Sequence, residues 1–296
     1  MAAVVVLHGQ ARDPTALLAG LAPLVGRTVL VDNNETPQPG LAQRLRPFAV
    51  ELLPNGNRGG LAGAYNKALR RLRQGPDPTP AHVVFVDQDS DTAALAAFVT
   101  DPSVEALLAR EDVACAAPVY RDRATGLRGR YIELARWRVH HLPREFEGPR
   151  PVAFVINSMS VWRTAALARL GDFDETLGID HVDTEHCLRA RALDLQVWVH
   201  GSHSFAHAIG ARRPYRLFGR ELQAGGHGPS RRRLIGRNTV LLARRWAFRE
   251  PAFAWLCLMR LVYEAVGIVM AEDRRAAKLA ALFGGIASGL FMRDPA

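Results

Sequence analysis

An α/β fold built on a parallel, doubly wound sheet is predicted for this chain by three observations. Short β-branched runs alternate with helix-like segments from Val4 onward. Polar or glycine-rich motifs stand where several of those runs stop, which is where such sheets bind ligands. A hydrophobic share of 48% over 296 residues is enough to bury one large domain with an appendage.

The elements follow in order. Residues 4–7 and 28–31 read as strands separated by a helix over 14–22, and 48–53 continues the pattern up to a glycine-rich turn. Then come a helix over 63–72, a strand over 83–86, a helix over 92–98 and a strand over 113–119. The segment 121–150 breaks the rhythm with a polar, Gly-containing stretch followed by mixed aromatics and charges, so a loop or a short antiparallel excursion is expected. A strand over 154–161 should lead into a helix over 164–170, and a second helix should begin near Asp180. There is no internal repeat and no low-complexity tract. Two regions are expected, a catalytic-type α/β domain over 1–215 and a basic, amphipathic helical region over 216–296.

Composition narrows the class. Cys115, Cys187 and Cys257 are far apart and lack zinc or disulfide spacing. The chain opens on Ala2-Ala3-Val4-Val5-Val6-Leu7 with neither the basic start nor the cleavage site of a secretory signal, so a cytoplasmic location is expected. The apolar stretch 251–271 contains Arg260 and Glu264, and a charge near a bilayer centre costs about 2.5–3.5 kcal/mol on insertion scales, which favours an amphipathic helix. Net charge is +9, and between Ala211 and Arg249 eleven arginines face a single acid, Glu221. That block suits phosphates, acidic lipid or nucleic acid, or a solvated basic face. A basic nucleic-acid-binding protein would explain the charge but not the strand-end motifs, and 7% aromatic content offers no stacking array among the arginines.

Four motifs sit at strand ends or helix starts. Val31-Asp32-Asn33-Asn34 offers a carboxylate and two amides to a base or ribose, or forms an Asx-rich turn. The stretch from Asn55 to Asn66 is rich in small residues that let a helix N-terminus approach a ligand. It matches neither the dinucleotide glycine pattern nor the phosphate-binding Gly-Lys-Ser/Thr loop. Phe85-Val86-Asp87-Gln88-Asp89-Ser90 ends an apolar strand in two carboxylates, hard oxygen ligands for a divalent ion that carries a diphosphate; alternatively Asp89 or Asp91 caps the next helix. Gly171-Asp172-Phe173-Asp174-Glu175 and Asp180-His181-Val182-Asp183-Thr184-Glu185 bring five carboxylates, Asp172 to Asp183, toward a helix start. There Asp183 either belongs to a capping arrangement or serves as a base, ionised at neutral pH with a reference pKa near 3.9.

Taken together, Asn57-Arg58-Gly59-Gly60-Leu61-Ala62-Gly63-Ala64-Tyr65-Asn66, the Asp87/Asp89 motif, Gly171-Asp172-Phe173-Asp174-Glu175-Thr176-Leu177 and the 180–190 segment resemble the family 2 inverting glycosyltransferases. The subgroup they resemble is the bacterial rhamnosyltransferases of cell-surface polysaccharide synthesis, over roughly residues 4–238. The resemblance implies a GT-A-type, mostly parallel sheet with flanking helices and a C-terminal helical extension. It implies a metal-dependent transfer of a sugar, rhamnose from dTDP-rhamnose or galactose, glucose or an amino sugar from a UDP donor, to a saccharide or lipid-diphosphate-linked saccharide.

By position, Asp87, Asp89 and His207, the last within Phe205-Ala206-His207-Ala208-Ile209-Gly210, would hold Mg²⁺ or Mn²⁺, and Asp183 would be the general base. Asp32, Asn57, Gly59, Asp87 and Arg237 would contact the nucleotide donor, Arg237 lying in a segment from His227 to Asn238 whose donors suit phosphate oxygens. The first strand departs from the family pattern at His8-Gly9-Gln10, and the glycine loop is one residue longer. The apolar stripes at 253–262 and 279–290 are expected to pack on the catalytic domain, on a second subunit, or on the cytoplasmic face of the inner membrane.

Overall fold

The computed structural model describes residues 1–9, 13–75, 78–208 and 213–293. Contacts divide them into two units, one of residues 1–121, 127–131 and 142–207, the other of 122–126, 132–141 and 208–296.

The first unit is the sheet domain. In chain order it runs β1 (Ala2–Leu7), α1 (Thr15–Leu21), β2 (Arg27–Asp32), α2 (Leu41–Leu45), β3 (Val50–Pro54), α3 (Gly60–Gln74), β4 (His82–Asp87), α4 (Thr92–Val99), α5 (Pro102–Ala109) and β5 (Val113–Asp122). A hairpin of β6 (Ile132–Ala135) and β7 (Arg138–His141) belongs to the second unit. The sheet domain then resumes with β8 (Pro149–Val152), β9 (Val161–Arg163), α6 (Thr164–Leu170), α7 (Val182–Ala192) and β10 (Gln196–His207). Among the described residues the strand order is β3-β2-β1-β4-β9-β5-β10-β8. The four strands β3, β2, β1 and β4 are parallel, as their run of intervening helices requires. All six residues of β1 are buried, because helices cover both faces of such a sheet. The core joins Val5, Leu7, Leu30, Val84 and Val86 of the strands to Leu17, Leu21, Leu95, Phe98 and Leu108 of the helices.

One sequence expectation needs correction. The strand expected over 154–161 is only β9, which lies antiparallel between β4 and β5. Upstream of it Met159 has φ +60°, so the chain cannot pleat there; Met159 N–H donates to Phe85 O (2.8 Å) and Phe85 N–H to Ser160 O (3.1 Å). The expected excursion within 121–150 is antiparallel, and Leu134 pairs with Val139 in its hairpin.

In the second unit, β11 (Arg213–Leu217) and β12 (Arg220–Ala224) form a hairpin, followed by α8 (Pro229–Trp246), α9 (Pro251–Ala271) and α10 (Arg275–Phe291). The backbones of α8 and α10 meet at glycines, since a Cβ on Gly236, Gly285 or Gly289 would strike a carbonyl of the facing helix. Arg232, fully buried on α8, is paired with Glu264 and Glu272; Lys278 donates to Glu272 (2.9 Å) and Asp273 (2.7 Å), and the Gly226 N–H to Glu272 (2.9 Å). The 227–238 segment therefore spends at least one of its arginines on internal charge pairing rather than on a phosphate. α9 is long and apolar enough by length and composition to cross a membrane. Its Glu264 points inward to Arg232, while Trp255, Leu258, Met259, Val262, Tyr263, Val269 and Met270 are exposed.

Candidate active site

The site is built where β4 stops. Buried Val83 to Val86 carry the chain to Asp87, a third of whose side chain reaches solvent. A tight turn follows, in which the Ser90 N–H donates to Asp87 O (3.1 Å) and the Asp87 N–H to Ser90 Oγ (3.0 Å). Asp91 then caps α4, its Oδ1 accepting from the Ala93 and Ala94 N–H groups at 3.0 and 3.3 Å. The capping alternative is thus taken by Asp91, and Asp89 is left without that role.

From the end of β10, His207 sets its Nδ1 3.7 Å from Asp87 Oδ2. Burial pushes the Asp87 carboxyl above its usual range; the His207 and Ser158 side chains oppose that rise and the Asp89 charge adds to it. A bound cation would relieve this. The donor set of two carboxylates and one imidazole fits a divalent ion. Gly210, the end of the expected His-x-x-Gly element, lies outside the described residues.

Tyr65 links this end to Asp183. Its side chain is 3% exposed on α3 and its ring packs against Phe85 of β4 (4.6 Å) and Phe173 (5.2 Å). Burial holds the phenol well above its ordinary pKa, and the charges of Asp87 and then Asp183 raise it further. Both carboxylates therefore act on one buried hydroxyl, although they come from opposite halves of the domain. The loop before Asp183 is fixed to α3 by Asn66, whose Nδ2 donates to Phe173 O and Glu175 Oε1 (2.9 Å each) and whose Oδ1 accepts from the Phe173 N–H (2.7 Å).

Asp183 is the second residue of α7. The helix is preceded by Asp180 (φ +61°) and His181 (φ +65°), both left-handed, and His181 makes no side-chain capping bond. The cap position falls to His181 rather than to Asp180. Asp183 Oδ1 accepts from the Thr184 N–H (2.8 Å), which orients the carboxylate. Glu185, beside it, is buried and held by three contacts from Arg189 at 2.5–3.1 Å, a structural pair.

Asp32 ends β2 almost wholly buried. Its Oδ1 accepts from the Asn34 N–H (3.2 Å) and side-chain amide (2.7 Å), and its Oδ2 from the Gln38 N–H (3.0 Å), so it organises the 32–38 loop. That loop walls a cleft of about 460 Å³ lined by His8, Gly9, Asn34, Glu35, Gln38 and Asn57. Asn57 (φ +53°) lies in the glycine turn and accepts from Asn33 Nδ2 (3.3 Å). Gly59 and Gly60 are there for a close approach: a Cβ on Gly59 would come within 2.5 Å of Glu175 Oε2, and one on Gly60 within 2.5 Å of Gly178 O. Arg237 lies on α8 of the second unit, its Nε donating to Asn238 Oδ1 (2.9 Å). Tyr65, Asn66 and His8 were not among the expected site residues; the first two stand inside the glycine motif, but their partners are long-range.

Comparison with known proteins places this architecture. No protein-family model matches the chain. A dTDP-rhamnosyl transferase, RfbF, of Shigella flexneri is 28% identical over 252 residues, 82% of this chain and 79% of that protein. In structure the chain is similar to GalNAc-T7, crystallised with UDP, GalNAc and Mn²⁺, with a TM-score of 0.51 at 15% identity over 80% of this chain. The fold is that of the GT-A glycosyltransferases. It spans about half the length (47%) of that solved chain. A fainter likeness, TM-score 0.31 over 40% of this chain, is to glucosyl-3-phosphoglycerate synthase from Mycobacterium tuberculosis. The open end of this chain's sheet, where Asp87 meets His207, is the end at which α/β folds receive ligands.

Proposed function

We propose that this glycosyltransferase moves rhamnose from dTDP-rhamnose to a saccharide or lipid-diphosphate-linked saccharide, with inversion, in building a cell-surface polysaccharide. The observations that carry the reading are the meeting of Asp87 with His207 at the end of β4, 3.7 Å apart, and the placement of Asp183 at a helix start, its Oδ1 accepting from the Thr184 N–H. The rhamnosyl donor follows from the Shigella flexneri relative.

In this reading the cleft beside Asn57 takes the nucleoside, with Asp32 holding its wall, while Asn57 and the N–H groups of the Gly59 turn face the diphosphate side. Arg237 supplies a guanidinium to phosphate oxygens. Asp87, Asp89 and His207 would hold Mg²⁺ or Mn²⁺, which when bound would supply positive charge to offset the negative charge growing on the leaving diphosphate. Asp183 takes the proton of the acceptor hydroxyl as the new C–O bond forms at the sugar carbon and the bond to the diphosphate breaks, and later releases it to water. Tyr65 of α3 stays protonated, and its ring packs against Phe85 of β4 and Phe173 of the loop before Asp183.

The acceptor's lipid suggests where the enzyme works. α9 presents its apolar side chains outward in a unit rich in arginine, the pattern of a helix that rests in an anionic interface, so we place the enzyme on the cytoplasmic face of the inner membrane.

The test is Asp183→Asn. Transfer should fall by a factor on the order of 10²–10⁴ while the nucleotide sugar still binds in calorimetry. Near-normal turnover would overturn the base assignment, and a panel of dTDP- and UDP-sugars in the same assay decides the donor.

A further inference from the structure

A second group of ligand-type side chains lies outside the set assigned to the donor. Asp101 caps α5 with Oδ1, accepting from the Ser103 N–H (2.8 Å) and Ser103 Oγ (2.6 Å). Capping needs only that one oxygen. Oδ2 instead meets His203 Nε2 at 2.7 Å, and Ser103 Oγ also lies 2.9 Å from His200 Nε2. One ligand atom from each of Asp101, His200 and His203 falls within 4.8 Å of the others.

Their convergence is not a by-product of β10. Positions three apart in an evenly pleated strand face opposite sides, yet the rings of His200 and His203 stand 4.8 Å apart, so the strand leaves its pleat between them. Phe98 closes one side of His203 edge-on (5.6 Å). His200 is 3% exposed, and its Nδ1 has no hydrogen-bond partner among the described residues, so only Ser103 fixes its ring.

We propose that Asp101, His200 and His203 bind a zinc-class divalent ion at a site separate from Asp87 and Asp89. Two imidazoles and one carboxylate form a donor set that favours zinc over magnesium or calcium. Bonds of 2.0–2.2 Å place tetrahedral ligand atoms about 3.3 Å apart, so the Asp101–His203 contact must open by roughly half an ångström, within a side-chain adjustment. The ion would tie the start of α5 to β10 and leave an open position toward solvent, since about a quarter of the Asp101 side chain is exposed.

The test uses the full chain, stripped of metal and kept in excess Mg²⁺ to fill carboxylate sites, then titrated with Zn²⁺ against a chromophoric chelator and with Co²⁺ by visible absorption. One equivalent should bind in the native chain and in an Asp87→Asn/Asp89→Asn variant. In His203→Gln and in Asp101→Asn, which keeps a capping oxygen, the affinity should weaken at least about tenfold and the Co²⁺ bands should vanish, with the melting temperature reporting that the fold survives. Zn²⁺ binding unchanged by both substitutions, or lost with Asp89 instead, would overturn the proposal.

Discussion

Two clusters of charge can be set side by side. In the second unit Arg232, Lys278, Glu264, Glu272 and Asp273 pair with one another. Burial raises the Glu272 carboxyl, but the hydrogen bonds from Lys278 and the Gly226 N–H and the Arg232 charge outweigh it, so it ends below its usual range. At the end of β4 the balance is reversed: burial and the Asp89 charge outweigh His207 and Ser158, and Asp87 ends above its usual range. In the first cluster opposite charges largely offset the desolvation they suffer, whereas at Asp87 desolvation prevails, the balance expected of a site that gains from a bound cation.

This contrast is breakable. The largest effect is expected at Asp87→Asn, where loss of a ligand worth several kcal/mol of charge stabilisation should lower transfer by a hundredfold or more. The melting temperature of the metal-free protein should hold or rise, because a desolvated charge has been removed. A clear loss of stability would show that Asp87 is a structural group. Next, Arg232→Met should destabilise by about 3–5 kcal/mol in urea unfolding, since Glu264 and Glu272 stay buried without their partner. A negligible change would mean that the pairing is not what holds the helices.

The pH dependence is the third. A carboxyl raised in the folded state binds protons more readily there, so transfer should fall on acidification through a midpoint above the ordinary aspartate range, and that midpoint should move to lower pH as Mn²⁺ is raised. In the metal-free protein the same group makes folding less favourable as pH rises through that range. A midpoint unmoved by Mn²⁺ would separate Asp87 from the metal. The smallest effect is Asp91→Ala, about 0.5–2 kcal/mol of stability from the lost α4 cap with transfer unchanged, and reduced metal affinity in that variant would bring Asp91 into the ligand set.

Much of the sheet domain was legible because local pattern and global fold agree. The alternation that gave β1 to β4 is carried by β-branched runs buried on both faces, and the helix at Thr164–Leu170 was read to the residue. What the pattern could not show was pairing at a distance: β9 wedged between β4 and β5, the turn at Met159, and the β6–β7 hairpin assigned to the second unit. The site divides in the same way. Asp87, Asp89 and Asp183 were visible as carboxylates at element ends, whereas Tyr65 looks like an ordinary core aromatic until Phe85 and Phe173 are folded around it. Asp32 matched a nucleobase-binding position, yet both its oxygens serve its own loop. Arg232, one of three adjacent arginines, gave no sign in sequence that it alone would be buried.

The two left-handed residues ahead of α7 bear on how the enzyme can be altered. Asp180 and His181 sit in a backbone region that L-residues enter at an energetic penalty, and glycine at either place would relax the chain. Relaxation would also let the first turn of the helix swivel, and with it Asp183, the proposed base. Sturdier variants found by easing that kink should therefore turn over more slowly, trading accuracy of aim for durability.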